Sequence, residues 1–324
     1  MEKQIGPGTQ VLLRASTAVQ PFVTKPARER PAPAAISRRS RNFFGNRFVY
    51  AVISQRASGL SIGVNLNPDH FCNFDCAYCE IDRRARSDDP TKLDKRVNTD
   101  VLANELNQML GRAFSGKMRE LSGYERVPEE LLKLKEVALS GDGEPTLCPN
   151  FAEVVETVVH VRAQRLFPFF KVVLITNATG LHLPEVQHGL RLFTPKDEIW
   201  AKLETGTETE FDAINRPATP PPGAPGTSLD HVLQNILAIG QRRPLVIQSL
   251  FPAIDGKGPS LEEIEAYVQR LQSLKNDGAR ITMVQIYSAH RAAANPRCSH
   301  LPLRTLSDIA RRVRQETGLR AEVF

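Results

Sequence analysis

Six short apolar runs recur after residue 60, each ending in small or polar residues and each followed by a helical pattern. They are 61–67 (SIGVNLN), 136–141 (EVALSG), 171–177 (KVVLITN), 198–204 (EIWAKLE), 245–251 (LVIQSLF) and 281–287 (ITMVQIY). Helical periodicity marks 100–113, 151–163, 229–242, 261–275 and 306–316, and more weakly 184–192. Strands that alternate with helices demand a parallel sheet with crossover connections, right-handed by default. Six units are fewer than the eight of a closed barrel. The expected fold class is therefore α/β, a partial (β/α)6 TIM-like barrel with parallel strands. A flat doubly wound sheet is the alternative. Both place ligands at the C-terminal ends of the strands, so the residues just after each run carry the chemistry.

Local signals agree with these elements. Thr99, Asn150, Ser228 and Ser260 stand where N-caps belong, and Glu263 follows Ser260 at capping-box spacing. Gly318 follows the last helix, where a left-handed cap fits. The segments 84–98, which is charged, and 216–226, rich in Pro and Gly, read as surface connections.

Charge divides the chain. Nine Lys and Arg against two Glu give residues 1–47 a charge of +7, while the whole chain carries +6. The body from 48 to 324 is thus near neutral. We expect 1–47 to be a basic, disordered arm and 48–324 to be one domain. A basic arm can touch phosphates, and a transit peptide is also compatible with its composition. No run of 18 apolar residues occurs, so no membrane span is expected. Five cysteines, an odd number with three clustered, fit metal ligation in a reducing compartment such as the cytoplasm.

The cluster lies in NPDHFCNFDCAYCEIDR, just past the first run. Cys72, Cys76 and Cys79 have the spacing Cys-x3-Cys-x2-Cys. Three thiolates fit the corners of an iron–sulfur cube and leave one iron open to another ligand. A structural zinc site completed by His70 is the alternative, and structural zinc normally has four protein ligands. On that alternative the chain is a zinc-stabilised nucleic-acid-binding protein that uses its basic arm.

Cys72, Cys76, Tyr78 and Cys79 together resemble the Cys-x3-Cys-x-aromatic-Cys motif of the radical S-adenosylmethionine (SAM) superfamily. The resemblance spans about residues 60–290 and implies the partial barrel. It implies that Cys72, Cys76 and Cys79 hold a [4Fe–4S] cluster whose fourth iron is chelated by SAM. Reductive cleavage of SAM would then give a 5′-deoxyadenosyl radical that abstracts hydrogen from a substrate. A one-electron donor such as a flavodoxin or ferredoxin is implied as a partner. Tyr78 would pack beside adenine, or only seal the loop.

Further segments extend the likeness. SGDGEPTL (140–147) resembles the family's Gly-Gly-Glu-Pro segment, with Asp142 replacing the first Gly. Gly141 and Gly143 permit close backbone approach, and Glu144 offers a carboxylate to the ammonium group of SAM. ITNATG (175–180) resembles the Thr-Asn-Gly segment, with Ala178 where Gly is common, and Asn177 can bond SAM. Lys202 and Glu204 share a strand face with Trp200, as an i, i+2 pair for SAM or as an ion pair inside the barrel. Gln248 and Gln285 can line the same interior, and His290 and Arg291 follow the sixth run. Cys148 reads as a small buried residue and Cys298 as a loop thiol.

The stretch from SGDGEPTL to FDAINRP resembles the wyosine-type tRNA-modifying branch. Residues 1–71 hold no cysteine, so the additional cluster of the two-cluster members has no ligands there. GLSIGVNLNP (59–68) resembles a little-characterised bacterial group in the same superfamily. Substrates of either RNA or small-molecule type are compatible with these likenesses.

Overall fold

Each of the six apolar runs forms a strand, and together they make the parallel centre of one curled sheet. The computed structural model describes residues 45–82, 95–219 and 226–324. Most of the basic arm, most of the charged connection and the centre of the Pro-rich connection lie outside the described residues.

The strands are β1 (Val49–Ser54), β2 (Gly59–Val64), β3 (Leu134–Leu139), β4 (Lys171–Thr176), β5 (Glu198–Lys202), β6 (Leu245–Leu250), β7 (Pro252–Ile254), β8 (Ile281–Tyr287), β9 (Cys298–His300) and β10 (Ala321–Val323). The helices are α1 (Thr99–Phe114), α2 (Phe151–Ala163), α3 (Pro184–Leu190), α4 (Glu208–Ile214), α5 (Leu229–Arg242), α6 (Leu261–Asn276) and α7 (Leu303–Thr317). The main sheet has eight strands in the order β1-β2-β3-β4-β5-β6-β8-β10. All neighbours pair in parallel except β1 and β2, which form an antiparallel hairpin. The sheet is thus the expected partial barrel, extended by one strand at each edge. The small strands β7 and β9 make a separate antiparallel ribbon.

The pleat sorts the side chains. Leu60, Ile62 and Val64 of β2, Val137 and Leu139 of β3, Val172 and Leu174 of β4 and Ile247 of β6 join the helices in one large core. Their alternates face the barrel interior, where Val173, Trp200 and Val246 form a separate apolar layer. In α5 the buried positions Leu229, Val232, Ile236 and Ile239 follow the helical period.

The hairpin edge is fixed by one buried acid. Glu105 of α1 accepts the backbone N–H groups of Arg47, Phe48 and Val49 at 2.8, 2.9 and 3.0 Å. The caps at Ser228, Ser260 and Gly318 form as expected, Gly318 at φ 66°. Three capping expectations differ. The cap of α1 is Asn98 and not Thr99, since Asn98 Oδ1 accepts from Val101 N at 3.0 Å. Asn150 makes no cap bond to α2; it is buried and clasps Val97 through that residue's N–H and carbonyl. Glu263 does not close a capping box. Its carboxylate reaches Gly206 N at 2.5 Å and Thr207 Oγ1 at 2.7 Å, which ties α6 to the turn after β5.

Gly206 makes that close approach feasible. A Cβ at this position would lie 2.0 Å from the backbone nitrogen of Tyr267. Rigid backbone cannot yield as a flexible side chain does. Gly206→Ala should therefore destabilise the fold by about 2–3 kcal/mol, read as a lower urea midpoint with an unchanged slope.

Candidate active site at the strand ends

The loop after β2 places Cys72, Cys76 and Cys79 at the C-terminal edge of the sheet, each thiol partly accessible. The N–H of Phe74 donates to Cys72 Sγ and that of Ile81 to Cys79 Sγ, both at 3.4 Å. Such bonds favour thiolate and are a means of tuning bound iron–sulfur centres. Burial pushes the Cys76 thiol well above its ordinary value, and Glu204, Cys72 and Cys79 push it further. Cys72 and Cys79 therefore both lie within electrostatic reach of Cys76. Among the described residues, no three His, Cys, Asp or Glu side chains converge on a single metal ion. His70 turns instead toward Asp142, with Nε2 3.6 Å from its carboxylate.

Backbone bonds fasten this loop to the Asn215–Arg216–Pro217 segment after α4. Asp75 N bonds Arg216 O at 3.0 Å, Ala77 N bonds Ile214 O at 2.7 Å, and Ala218 N bonds Asn73 O at 2.8 Å. Phe74 packs edge-on against Phe211, ring centroids 5.5 Å apart. On the other side Ala294 N bonds Cys79 O at 2.8 Å, and Arg291 pairs with Glu80 at 3.2 Å. Arg291 thus closes on the cysteine loop. His290 lies beside His300, ring centroids 6.2 Å apart.

Glu204 is the junction of the site. It is 4% exposed and accepts from Tyr78 Oη, Lys202 Nζ and Asn215 Nδ2, each at 2.5 Å. Burial alone would push Lys202 down, but the Glu204 carboxylate outweighs it and holds the ammonium well above its ordinary value. The ammonium also lies 4.9 Å from the Tyr78 ring centroid and 3.4 Å from Tyr287 Oη. Burial pushes the Tyr78 phenol up, and Cys76 and Glu204 add to it. Tyr78, far in the sequence from Lys202 and Glu204, joins them in one cluster beside Cys76.

A second buried carboxylate, Glu144, holds the next two strand ends together. It accepts from Thr146 N and Oγ1 at 3.1 and 2.6 Å, Thr176 Oγ1 at 2.5 Å and Asn177 N at 2.7 Å. Burial raises its pKa, and these donors oppose the rise. The Asn177 side chain donates to Asn73 Oδ1 at 2.9 Å and accepts from Thr179 N and Oγ1. Both residues therefore brace the cysteine loop. Ala178, in the place of a common glycine, has φ 68°, a left-handed conformation that favours glycine.

Gly141 and Gly143 approach protein. A Cβ on Gly143 would stand 1.7 Å from Phe71 O, and one on Gly141 2.2 Å from Asn65 Oδ1. The SGDGEP turn is thus packed directly under the chain that leads to Cys72. Asn65 Nδ2 reaches Asp142 at 2.9 Å, which gives that aspartate a local partner.

Deeper in the barrel, Gln248 Nε2 bonds Gln285 Oε1 at 3.0 Å. Trp200 Nε1 bonds Glu198 Oε2 at 2.8 Å, and Lys171 pairs with Glu198 at 3.0 Å. Glu136 accepts from Ser61 at 3.2 Å and lies 3.9 Å from Lys171. Cys148 is buried as expected. Cys298 is not in a loop: it begins β9 and packs, half-buried, against the Tyr78–Tyr287 cluster.

Sequence reasoning missed Glu105, Glu263, Arg56 and the bracing roles of Asn73 and Thr179. The first two are acids on the apolar sides of helices, at positions where a purely solvated face would not put them.

No family model matches the chain. It is 25% identical over 194 residues to the UPF0026 protein slr1464 of Synechocystis sp., covering 60% of this chain and 59% of that protein. It is 23% identical over 191 residues to the UPF0026 protein MJ1312 of Methanocaldococcus jannaschii, covering 58% of this chain and 48% of that protein. The matched region thus spans less than two thirds of these relatives. Among solved structures, Streptococcus suis SuiB superposes with a TM-score of 0.53 at 12% identity, covering 83% of this chain and 51% of that one. That likeness shows a shared fold, the partial barrel described above. Among the described residues, no helix is long and apolar enough to cross a membrane.

The interior acid Glu136 makes stability depend on pH. It is 1% exposed, and burial pushes its pKa up to about 7, against the opposing pull of Lys171 and Ser61. The folded state therefore holds this proton more tightly than the unfolded chain. Its contribution is complete below the carboxyl's ordinary value and is lost as pH rises through about 7. Glu136→Gln should raise stability at pH 8 by up to about 3 kcal/mol. The gain should vanish near pH 4. Parallel urea titrations of the two proteins at both pH values measure it.

Proposed function

We propose that this protein is a radical SAM enzyme acting on a carbon-bound hydrogen of a substrate still to be identified. The observation that carries the reading is the cysteine loop, which brings Cys72 and Cys79 close to Cys76 at the C-terminal edge of a partial barrel. The donor set fits an iron–sulfur cluster. All three candidate ligands are soft sulfurs, and two of them accept backbone N–H bonds.

Cys72, Cys76 and Cys79 would hold a [4Fe–4S] cluster with one iron left for SAM. A cluster held there would supply the single electron needed for reductive cleavage of bound SAM, the source of radical hydrogen abstraction. The chain's own residues bind, orient and shield. Tyr78 and Lys202, locked by Glu204, form a rigid wall next to Cys76. Lys202 keeps its proton and gives that wall a fixed cation able to face a carboxylate or the ring of adenine. Gly141, Gly143, Glu144 and Asn177 hold the SGDGEP and ITNATG turns against the loop, so the sulfurs keep their places as the site fills. The apolar layer of Val173, Trp200 and Val246 beneath the site excludes water from a reactive radical.

A one-electron donor such as a flavodoxin or ferredoxin belongs to this reading, as does an RNA or small-molecule substrate. Anaerobic reconstitution with iron and sulfide should yield a brown protein that, with dithionite, releases 5′-deoxyadenosine from SAM. Cys76→Ala should lose the colour and at least 100-fold in that release. A protein that stays colourless with wild-type cysteines would overturn the reading.

A further inference from the structure

One cation inside the barrel, Arg56, has an Nε with no hydrogen-bond acceptor among the described residues. Arg56 lies in the turn between β1 and β2, and its guanidinium carbon sits 4.3 Å from the centroid of the Tyr287 ring. It reaches far enough inward to pull down the proton affinity of Glu136. Its Nε is shielded from solvent and has no acceptor among the described residues. Gln285 of β8 repeats the pattern. It is 1% exposed, its Oε1 is taken by Gln248, and its Nε2 has no partner. Tyr287 connects the two, because its hydroxyl meets Gln248 Oε1 at 3.4 Å while its ring carries Arg56.

An unsatisfied buried donor costs about 1–3 kcal/mol, and folded proteins rarely keep one without a reason. Stacking on Tyr287 offsets part of the cost for Arg56 but gives the Nε–H no acceptor. Both groups that lack partners are donors, and one of them is a cation. Glu136 Oε2 also lacks a hydrogen bond, but it already has the Lys171 ammonium at 3.9 Å. Arg56 Nε and Gln285 Nε2 each lack an acceptor among the described residues, and an oxyanion supplies one to both.

We propose that the barrel interior binds a substrate through a carboxylate or phosphate group held by Arg56 and Gln285. This names the substrate class for the radical SAM reading and rests on it. Tyr287 carries both Arg56 and Lys202, the latter 5.8 Å from the ring centroid. The anchored anion is therefore one aromatic ring away from the cluster that faces Cys76. A substrate fixed at its charged end presents the rest of its chain toward the cysteine loop. Arg56 and Gln285 set specificity and take no part in bond breaking.

The test is calorimetric titration of the reconstituted, full-length protein with succinate, with inorganic phosphate and with neutral succinamide. Cluster absorbance verifies that each variant is intact. One of the two anions should bind and succinamide should not, and the anion that binds distinguishes a carboxylate substrate from a phosphorylated one. Arg56→Gln should weaken that binding at least tenfold, and Gln285→Glu, which puts a negative charge where a donor stood, should abolish it. A brown, SAM-cleaving protein that binds neither anion, or whose affinity ignores both substitutions, overturns the subsite alone. A protein that takes up no cluster yet binds an anion through Arg56 overturns the radical reading and leaves the subsite standing.

Discussion

The carboxylate of Glu204 is the contact on which the site depends. Three donors from three parts of the chain converge on it: Tyr78 from the cysteine loop, Lys202 from β5 and Asn215 from the segment after α4. A charge this deeply buried is tolerated only when its lone pairs are filled and a counter-ion stands beside it. Both conditions hold, so the carboxylate works as a clamp. It sets where β5 ends, where the cysteine loop crosses it and how Tyr78 is turned. Removing any one donor would leave the others facing an uncompensated charge, which makes the cluster cooperative.

Glu144 does for the first half of the barrel what Glu204 does for the second. One clamps the SGDGEP and ITNATG turns; the other clamps the β5 end to the Asn215 segment. The cysteine loop lies between them, bonded to one side through Asn73 and to the other through Asp75 and Ala77. This explains why motifs with no direct hold on a sulfur still recur around it. Their glycines and amides shape the seat of the loop. Gly143 shows the point, since the space a side chain would need is already filled by the carbonyl of Phe71.

Much of this was legible in the sequence. The apolar runs and the helical stripes marked the six central parallel strands within a few residues, because burial on both faces leaves a dense apolar signature. The edge strands were not legible. β1 pairs antiparallel and carries a half-exposed pattern, and β10 is only three residues long. The thiol spacing marked Cys72, Cys76 and Cys79 as candidate metal ligands by chemistry alone. The network around it did not announce itself, since Glu204 and Asn215, or Glu144 and Thr176, meet only after the sheet has curled. Glu263 misled for a related reason: its spacing from Ser260 fits a cap, but a buried backbone N–H at Gly206 is the more demanding partner. Arg56 left no signal, as a lone arginine in a hairpin turn looks like any solvated charge.

The arrangement of the sheet edge also constrains how the chain can assemble. β8 has β6 on one side and only the short β10 on the other, and β10 comes after β9 and α7 in chain order. Without β10, β8 would present a bare row of backbone groups, a template for strand addition by another chain. Ala321–Val323 covers that row by pairing with Val284–Ile286.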